Sequence, residues 1–335
     1  MREEMADYDH RRNLSKTSTP TTRRYYSHPP LKRKSQCLRL DTLKNGDLTL
    51  IKKTNRDNSD LPDRLRYDPM LYLERPETSK ALEEAIGRLP KQNRATVLTV
   101  DGTRLAGKTW FAMHLMCNHG DTKSLSNISL ENRIYLSLEA DGVEQRPDCC
   151  QQRCFYLHPS KETENASHSE EKENSKLLMR NLLVDIYRHL NISLPEDSSL
   201  WDIESWIGEL PPESWKSKRG TRILFVDGIA EASNVEISLF ESYFLKYILQ
   251  QPGFVIALLG KPKGIGWFDP DLRKDDDLQR LKAFNYEETE QQIERMIRND
   301  IHVEIDLNSL PMLQEYSAGV PGSSSYLARE GVSLV

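Results

Sequence analysis

The sequence lacks any apolar run near the ~18 residues a membrane-spanning helix requires, and its opening MREEMADYDHRR holds no apolar segment of the kind that directs secretion. A cytoplasmic chain without a membrane partner is therefore expected. Cysteine is scarce, with five residues in 335, an odd number without framework spacing. That argues against a disulfide scaffold and fits a reducing compartment. Cys149, Cys150 and Cys154, followed by His158, lack the second ligand pair usual in a zinc site, so ordinary loop thiols are expected. Apolar residues make up only 37% of the chain, low for a fully packed globule of this length, so part of it is expected to stay unpacked.

A net positive balance is found only toward one end. Through Arg66 there are 16 Lys plus Arg against 9 Asp plus Glu, so the net −5 divides into +7 for this segment and −12 for the remainder. Residues 1–66 carry only short apolar patches such as LRL and LTLI, too little to offset ordering entropy, and are expected to be mostly disordered. Their cluster Lys32-Arg33-Lys34 could touch an acidic partner, although a solvated basic tail is the plainer reading. The acidic remainder repels phosphate backbones, so direct nucleic-acid binding is not expected.

From Tyr67 onward, apolar runs alternate with helical patterns. YDPMLYLERPETSKALEEAIGRLP predicts a helix starting at Thr78 or Ser79 and stopped by Pro90. The β-branched run Ala95 to Val100 reads as a strand buried on both faces, and TWFAMHLM from Thr109 as a helix. Further strands are expected at Ile134 to Leu138, Ile223 to Val226 and Phe254 to Leu259, with a short fifth at Leu281 to Phe284. Helices are expected at about Lys176 to Leu190, Leu200 to Leu210 and Val235 to Gln250, and again beyond Glu287. This alternation predicts an α/β fold, a parallel sheet covered by helices on both faces. The expected organisation is a core over 67–262 with a disordered charged insertion near 141–175, then a linker and small helical lid over 263–335.

The segment VLTVDGTRLAGKTWFAMHL matches G-x-x-x-x-G-K-[ST] at Gly102, Gly107, Lys108 and Thr109, between a strand and a helix. Glycines permit the backbone turns that aim successive N–H groups at phosphate oxygens. Gly102, Thr103, Arg104, Leu105, Ala106, Gly107, Lys108, Thr109 and Trp110 are thus the candidate nucleotide-binding residues. Lys108 would supply a point charge to the β- and γ-phosphates, the helix its positive dipole end, and Thr109 a hydroxyl ligand to Mg²⁺. In RILFVDGIAEA, four apolar residues carry the chain through the sheet and deliver Asp227 at the strand's C-terminal edge, the place for a carboxylate that holds the magnesium's water shell. Asp101 ends the first strand but precedes the loop and ranks below it. Glu231, four residues further on, is the candidate for activating water, with a helix N-terminal Glu as the bland alternative. Lys261 in LLGKPKG emerges at the same sheet edge and could sense a γ-phosphate or be a solvated loop lysine.

With these parts in order, the chain resembles the STAND class of P-loop NTPases, relatives of AAA+ proteins. YLERPET looks like the entry motif that approaches the adenine in that class, DGTRLAGKT is the Walker A motif, and LFVDGIAEA resembles a NACHT-type Walker B motif. YSAGVPGSSSYLA resembles the lid's G-x-P motif, here Gly319, Val320 and Pro321, whose proline lies against the nucleotide base in the class. The text FNYEETEQQIERM is similar to the step into that lid. Ala230 stands where NACHT proteins often have a further Asp, and Lys261 where many relatives carry Arg. Little sequence follows the lid motif here, so the winged-helix domain or repeats usual in the class are not expected within these residues.

The resemblance implies an ATP-binding, ATP-hydrolysing signalling switch using Mg²⁺, with nucleotide held between core and lid, a protein signalling partner and assembly into a homo-oligomer on ATP binding. Adenine follows from the resemblance, no N-K-x-D motif for guanine being present. The alternatives are a nucleotide-bound scaffold that does not hydrolyse and a small-molecule kinase, for which Arg273, Arg280 and Arg295 would be lid arginines.

Overall fold

The computed structural model describes residues 67–330, with interruptions of which the longest are 118–124, 139–147, 158–167 and 214–219, together with two strands before them. Those two, β1 (Leu38–Asp41) and β2 (Thr49–Lys52), pair antiparallel and coincide with the LRL and LTLI patches of a segment expected to be mostly disordered. The rest of that expectation, with Lys32-Arg33-Lys34, lies outside the described residues.

The main sheet has six parallel strands: β3 (Thr96–Asp101), β4 (Arg133–Ser137), β5 (Cys154–Tyr156), β6 (Arg222–Asp227), β7 (Phe254–Leu259) and β8 (Leu278–Arg280). Their spatial order is β5-β4-β6-β7-β3-β8, every neighbouring pair parallel. After β3 the chain crosses to β4 at the far side, fills β5, returns through β6 and β7, and places β8 beyond β3. The direction of travel thus reverses beside β3, and the crevice outside the strands' carboxyl ends is where such a sheet accepts a ligand.

Period-2 alternation divides the apolar runs between two cores. Leu98, Val100, Tyr135, Ile223, Phe225, Val255, Ala257 and Leu259 face α1 (Pro76–Arg88) and α2 (Lys108–Cys117). Ile134, Leu136, Leu224, Val226, Phe254, Ile256 and Leu258 face α3 (His168–His189), α4 (Leu200–Glu209) and α5 (Asn234–Phe240). Burial on both faces explains why these strands read as continuous apolar runs.

Several expectations shift. Helix α1 starts at Pro76, not Thr78, because proline suits the first helical turn, where an N–H has no intrahelical acceptor. The 141–175 segment is not one polar insertion. A 3₁₀ turn at Asp148–Arg153 leads into β5, an edge strand only three residues long, and α3 begins at His168 instead of Lys176. The helix expected over Val235 to Gln250 is interrupted by a π turn at Glu241–Leu245 before resuming at Lys246–Ile248. The last strand is Leu278–Arg280, and Leu281, its expected start, bonds instead to the Asp101 carbonyl at 2.8 Å.

After a short α6 (Pro270–Arg273) come the lid helices α7 (Tyr286–Arg298), α8 (Leu310–Ser317) and α9 (Pro321–Glu330). Asn285 caps α7 with a reciprocal Glu288 contact. Ile293, Met296, Ile297, Leu310, Leu313 and Ala328 form the lid's own core, joined by Leu71 from the entry segment and flanked by Trp110 of α2.

Candidate phosphate-binding site

The loop between β3 and α2 is held in a conformation most side chains resist. Leu105 and Gly107 have φ of 66° and 93°, in the left-handed region. For Leu105 this costs on the order of 1 kcal/mol, so its surroundings must hold it there. They do so through outward-facing carbonyls. Gly322, in the first turn of α9, donates its N–H to the Leu105 carbonyl at 3.0 Å. Arg75, just before α1, donates to the Ala106 carbonyl at 3.2 Å and to the Lys282 carbonyl at 3.0 Å, and its guanidinium lies 4.1 Å from the Phe284 ring centroid. The Lys108 ammonium folds over the loop, bonding the Gly102 and Thr103 carbonyls at 2.9 and 3.1 Å. Thr103, Arg104 and Leu105 are exposed, while Ala106 is buried beneath them.

The second half of the site is Asp227. The order β3-β7-β6 puts one strand between the loop and this carboxylate. Across that gap Thr109, on the first turn of α2, donates to Asp227 Oδ2 at 2.6 Å. Tyr135 donates to the same oxygen at 2.8 Å, and the Gly228 N–H bonds Oδ1 at 2.8 Å. The register Ser137↔Asp227 explains the Tyr135 contact: two residues back on the neighbouring strand, it lies on the same face. Burial pushes the Asp227 carboxyl above the usual carboxylate range, against the opposing pull of its bonds to Thr109, Tyr135 and Gly228 and of the Lys108 charge. Burial, then the neighbouring Asp227 charge, also raises the Tyr135 phenol well above its ordinary value. Gly260 closes the gap from β7: a Cβ there would lie 3.8 Å from Lys108 Cε.

Gly102, Lys108, Thr109 and Asp227 thus come together at the carboxyl edge. Asp101 instead accepts the Gly102 N–H at 2.8 Å and braces the loop's start. Glu231 is exposed in the turn after β6, where its N–H bonds the Gly228 carbonyl at 3.1 Å. Trp110 is half-buried and lies edge-on to Tyr67 with centroids 5.6 Å apart. Lys261 lines a cavity of about 270 Å³ with Thr99, Trp267 and Arg273. Pro321 is buried at the start of α9, its carbonyl accepting from Gln292 at 3.1 Å.

Three contributors escape sequence reasoning. Tyr135 reads as one more core aromatic, and only its spacing to Asp227 across a known strand pairing would single it out. Arg75 lies within the quoted YLERPET segment, but its carbonyl contacts depend on residues 31 and 207 positions away. Gly322 follows Pro321 and looks like an ordinary helix-start residue; its contact with Leu105 is visible only in three dimensions.

The parallel sheet, the loop at its reversal point and the buried carboxylate opposite define an α/β protein with a P-loop-type core. No family model matches the chain, and no curated protein matches it in sequence. Among solved structures it is similar to domain III of the replication initiation protein DnaA from Thermotoga maritima, at 15% identity and a TM-score of 0.34, over 77% of this chain and 82% of that one. It is also similar to a chain in a structure of Drosophila ORC bound to DNA, at 13% identity and a TM-score of 0.35, over 84% of this chain and 71% of that one. The class assignment rests on the chain's own strand order and loop geometry. Among the described residues, no helix is long and apolar enough to cross a membrane.

Proposed function

We propose that the chain is an ATP-binding, ATP-hydrolysing switch of the STAND type, with the triphosphate in the Gly102–Thr109 loop and the lid closing over it. The observation that carries this is the 2.6 Å contact between Thr109 Oγ1 and Asp227 Oδ2, which brings a hydroxyl and a buried carboxylate to one point beside the loop. A carboxylate whose charge is disfavoured by burial fits a cation, and Thr109 with Asp227 would hold Mg²⁺ directly or through its waters. The ion would neutralise charge on the phosphates, Lys108 would add a second positive charge, and the loop's N–H groups and the start of α2 would orient the oxygens. Glu231 would activate water and Lys261 would sense the γ-phosphate. Gly322 bonds the loop itself, so a change in loop conformation on binding or release would reach the lid directly.

Isothermal titration with Mg-ATP and Mg-GTP tests the binding step, with heat expected for ATP and lost in Lys108→Ala. Absence of heat from a folded wild-type chain refutes it. Light scattering after size exclusion, with and without Mg-ATP, tests assembly into a homo-oligomer.

A second reading, a nucleotide-bound scaffold that does not hydrolyse, is favoured by one observation. The residue after Asp227 is Gly228, and the nearest downstream carboxylate, Glu231, is exposed in a turn. Phosphate release that collapses in Glu231→Gln supports the enzyme, and none in either protein supports the scaffold. Direct nucleic-acid contact is not part of the proposal, because the chain beyond Arg66 carries −12. Salt-dependent binding of labelled duplex DNA would add that partner.

A further inference from the structure

Cys150 and Cys154 are buried free thiols, in keeping with the expectation of ordinary thiols, and the side chain of Cys149 and residue His158 lie outside the described residues. A feature the sequence does not announce is the cavity of about 270 Å³ lined by Thr99, Lys261, Trp267 and Arg273. Thr99 places it on the sheet. Val97, two residues back on β3, packs against the α3–α5 core, and Leu258, the register partner of Thr99, belongs to that same core. The cavity therefore lies across the sheet from α2, whose apolar residues belong to the other core.

One wall is the segment Gly266 to Arg273, which is pinned at several points. Glu241, buried in the π turn, accepts the Phe268 N–H at 2.9 Å and the Asp269 N–H as well. Asp269 accepts the Asp271 N–H at 2.7 Å, Asp271 pairs with Arg94 at 2.6 Å, and Arg273 donates its Nε–H to the Trp267 carbonyl. A wall held by this many bonds is formed in advance of any ligand, as small-molecule sites usually are.

The chemistry of the lining is one-sided. Lys261 and Arg273 bring two positive charges, and none of the described lining residues carries a carboxylate. Thr99 and Trp267 are only 5% and 4% exposed, yet among the described residues neither the hydroxyl nor the indole N–H has a hydrogen-bond partner. Buried donors are normally satisfied, and both of these line the cavity, so their acceptor must come from within it. Ammonium, guanidinium and indole groups donate and do not accept, which makes the complementary ligand an anion rich in acceptors. Pro262, Leu272 and the Trp267 ring add apolar area beside these donors.

We propose that this cavity binds a small phosphate monoester, its phosphoryl oxygens taken by Lys261, Arg273, Thr99 and Trp267 and its organic part lying against Pro262 and Leu272. A phosphate near its dianionic state balances the two cations, and its three oxygens can accept from all four groups. A carboxylate, with one charge and two oxygens, matches them less well. The inference goes beyond the nucleotide reading, and Lys261 is the residue the two share.

The test titrates the full chain, ¹⁵N-labelled at its five tryptophans, with phenyl phosphate and follows the indole N–H resonances by NMR. The Trp267 resonance, assigned by its loss in Trp267→Phe, is expected to shift and saturate. Thr99→Val and Arg273→Gln should each weaken the binding at least ~10-fold, the usual worth of a bond to a charged acceptor. In Lys108→Ala, which disables the phosphate loop, the shift should persist. An unshifted Trp267 resonance in wild type at millimolar phenyl phosphate overturns the proposal and depends on no variant folding. Binding that survives both Thr99→Val and Arg273→Gln but is lost in Lys108→Ala also overturns it, by placing the ligand in the loop. Benzoate bound as tightly overturns the phosphoryl assignment, and inorganic phosphate bound as tightly overturns the role of the apolar wall. Absence of Mg-ATP heat with the Trp267 shift intact counts against the nucleotide site alone.

Discussion

Gly319→Ala probes how the lid is fastened. Gly319 has φ of +68°, and a Cβ there would sit 2.1 Å from the Phe284 carbonyl oxygen and 2.8 Å from Gln314 Nε2. Alanine in the left-handed region costs about 1–2 kcal/mol. The clash adds to it, because its nearest atom is backbone and is held in place. Phe284 donates to the Gly319 carbonyl at 2.7 Å, and Gln314 donates to the Phe284 carbonyl at 2.7 Å. Moving Phe284 aside loses both bonds, at about 1 kcal/mol each. The total is roughly 3–4 kcal/mol, equivalent to a fall in Tm of roughly 4–7 °C for a chain of this size. Asparagine tolerates left-handed φ but keeps the Cβ, so Gly319→Asn should recover no more than about 1 kcal/mol of that loss. Calorimetry gives the Tm, and amide exchange should localise the loss to residues 284–330. A Gly319→Ala protein melting within about 2 °C of wild type, with unchanged exchange in the lid, would refute the reasoning.

Other outcomes follow from the site. Lys108→Ala should weaken Mg-ATP binding at least ~100-fold by titration, since it deletes the charge proposed to face the phosphates, while leaving Tm nearly unchanged because Lys108 bonds only loop carbonyls among the contacts described. Tyr135→Phe should destabilise by about 1.5–3 kcal/mol at neutral pH in denaturant titration, the usual range for a bond to a charged acceptor. Because that bond lowers the Asp227 pKa, the loss should shrink as acid protonates the carboxyl. Asp227→Asn should do the reverse to stability. A folded-state pKa raised by burial means that the native chain binds the proton more tightly than the unfolded one, so the stability contributed by Asp227 is greatest below its unfolded pKa and declines as pH rises through the folded value. The amide should therefore flatten that decline and make the ligand-free protein more stable near neutrality, while Mg-dependent nucleotide binding falls. A variant no more stable than wild type at neutral pH would show that the bonds to Thr109, Tyr135 and Gly228 outweigh burial.

How far the molecule was legible in its sequence depended on the range of the physics involved. The strands β3, β6 and β7 stand out because burial on both faces demands unbroken apolar runs, and the loop stands out because its backbone turns demand glycine at fixed spacing. β5 does not: three residues at a sheet edge need little apolar surface, and the charged text on either side hides them. The π turn at Glu241–Leu245 leaves the helical period nearly intact and gives no signal. Within the site, Thr109 and Asp227 are legible as residue types at strand and helix ends, whereas Tyr135 is chosen by a pairing register and Arg75 by a fold-back across the sheet. The cysteines illustrate the same limit. Cys150 and Cys154 are neighbours in sequence, but Cys117, 33 positions before Cys150, joins them only because α2 packs against the 3₁₀ turn that leads into β5.

The contacts around the loop also say what it can communicate. Arg75 and Gly322 both bind carbonyl oxygens of the loop, at Ala106 and Leu105, and so they grip the outer side of a turn built to present N–H groups on its inner side. A change in Leu105 or Gly107 torsion angles would rotate these carbonyls away from their donors. Arg75 is tied in turn to Lys282 and stacked on Phe284, whose N–H is bonded to Gly319, and Gly319 and Gly322 flank the start of α9. A single circuit therefore runs from loop to Arg75, Phe284, Gly319, Gly322 and back to the loop. Its hydrogen bonds all end on backbone carbonyls, and the Arg75–Phe284 link is a cation–π contact, so the circuit is either closed in register or broken. That all-or-none character suits a loop whose occupancy is to be reported to a lid, because a small local torsion is converted into the loss of several bonds together instead of a gradual drift.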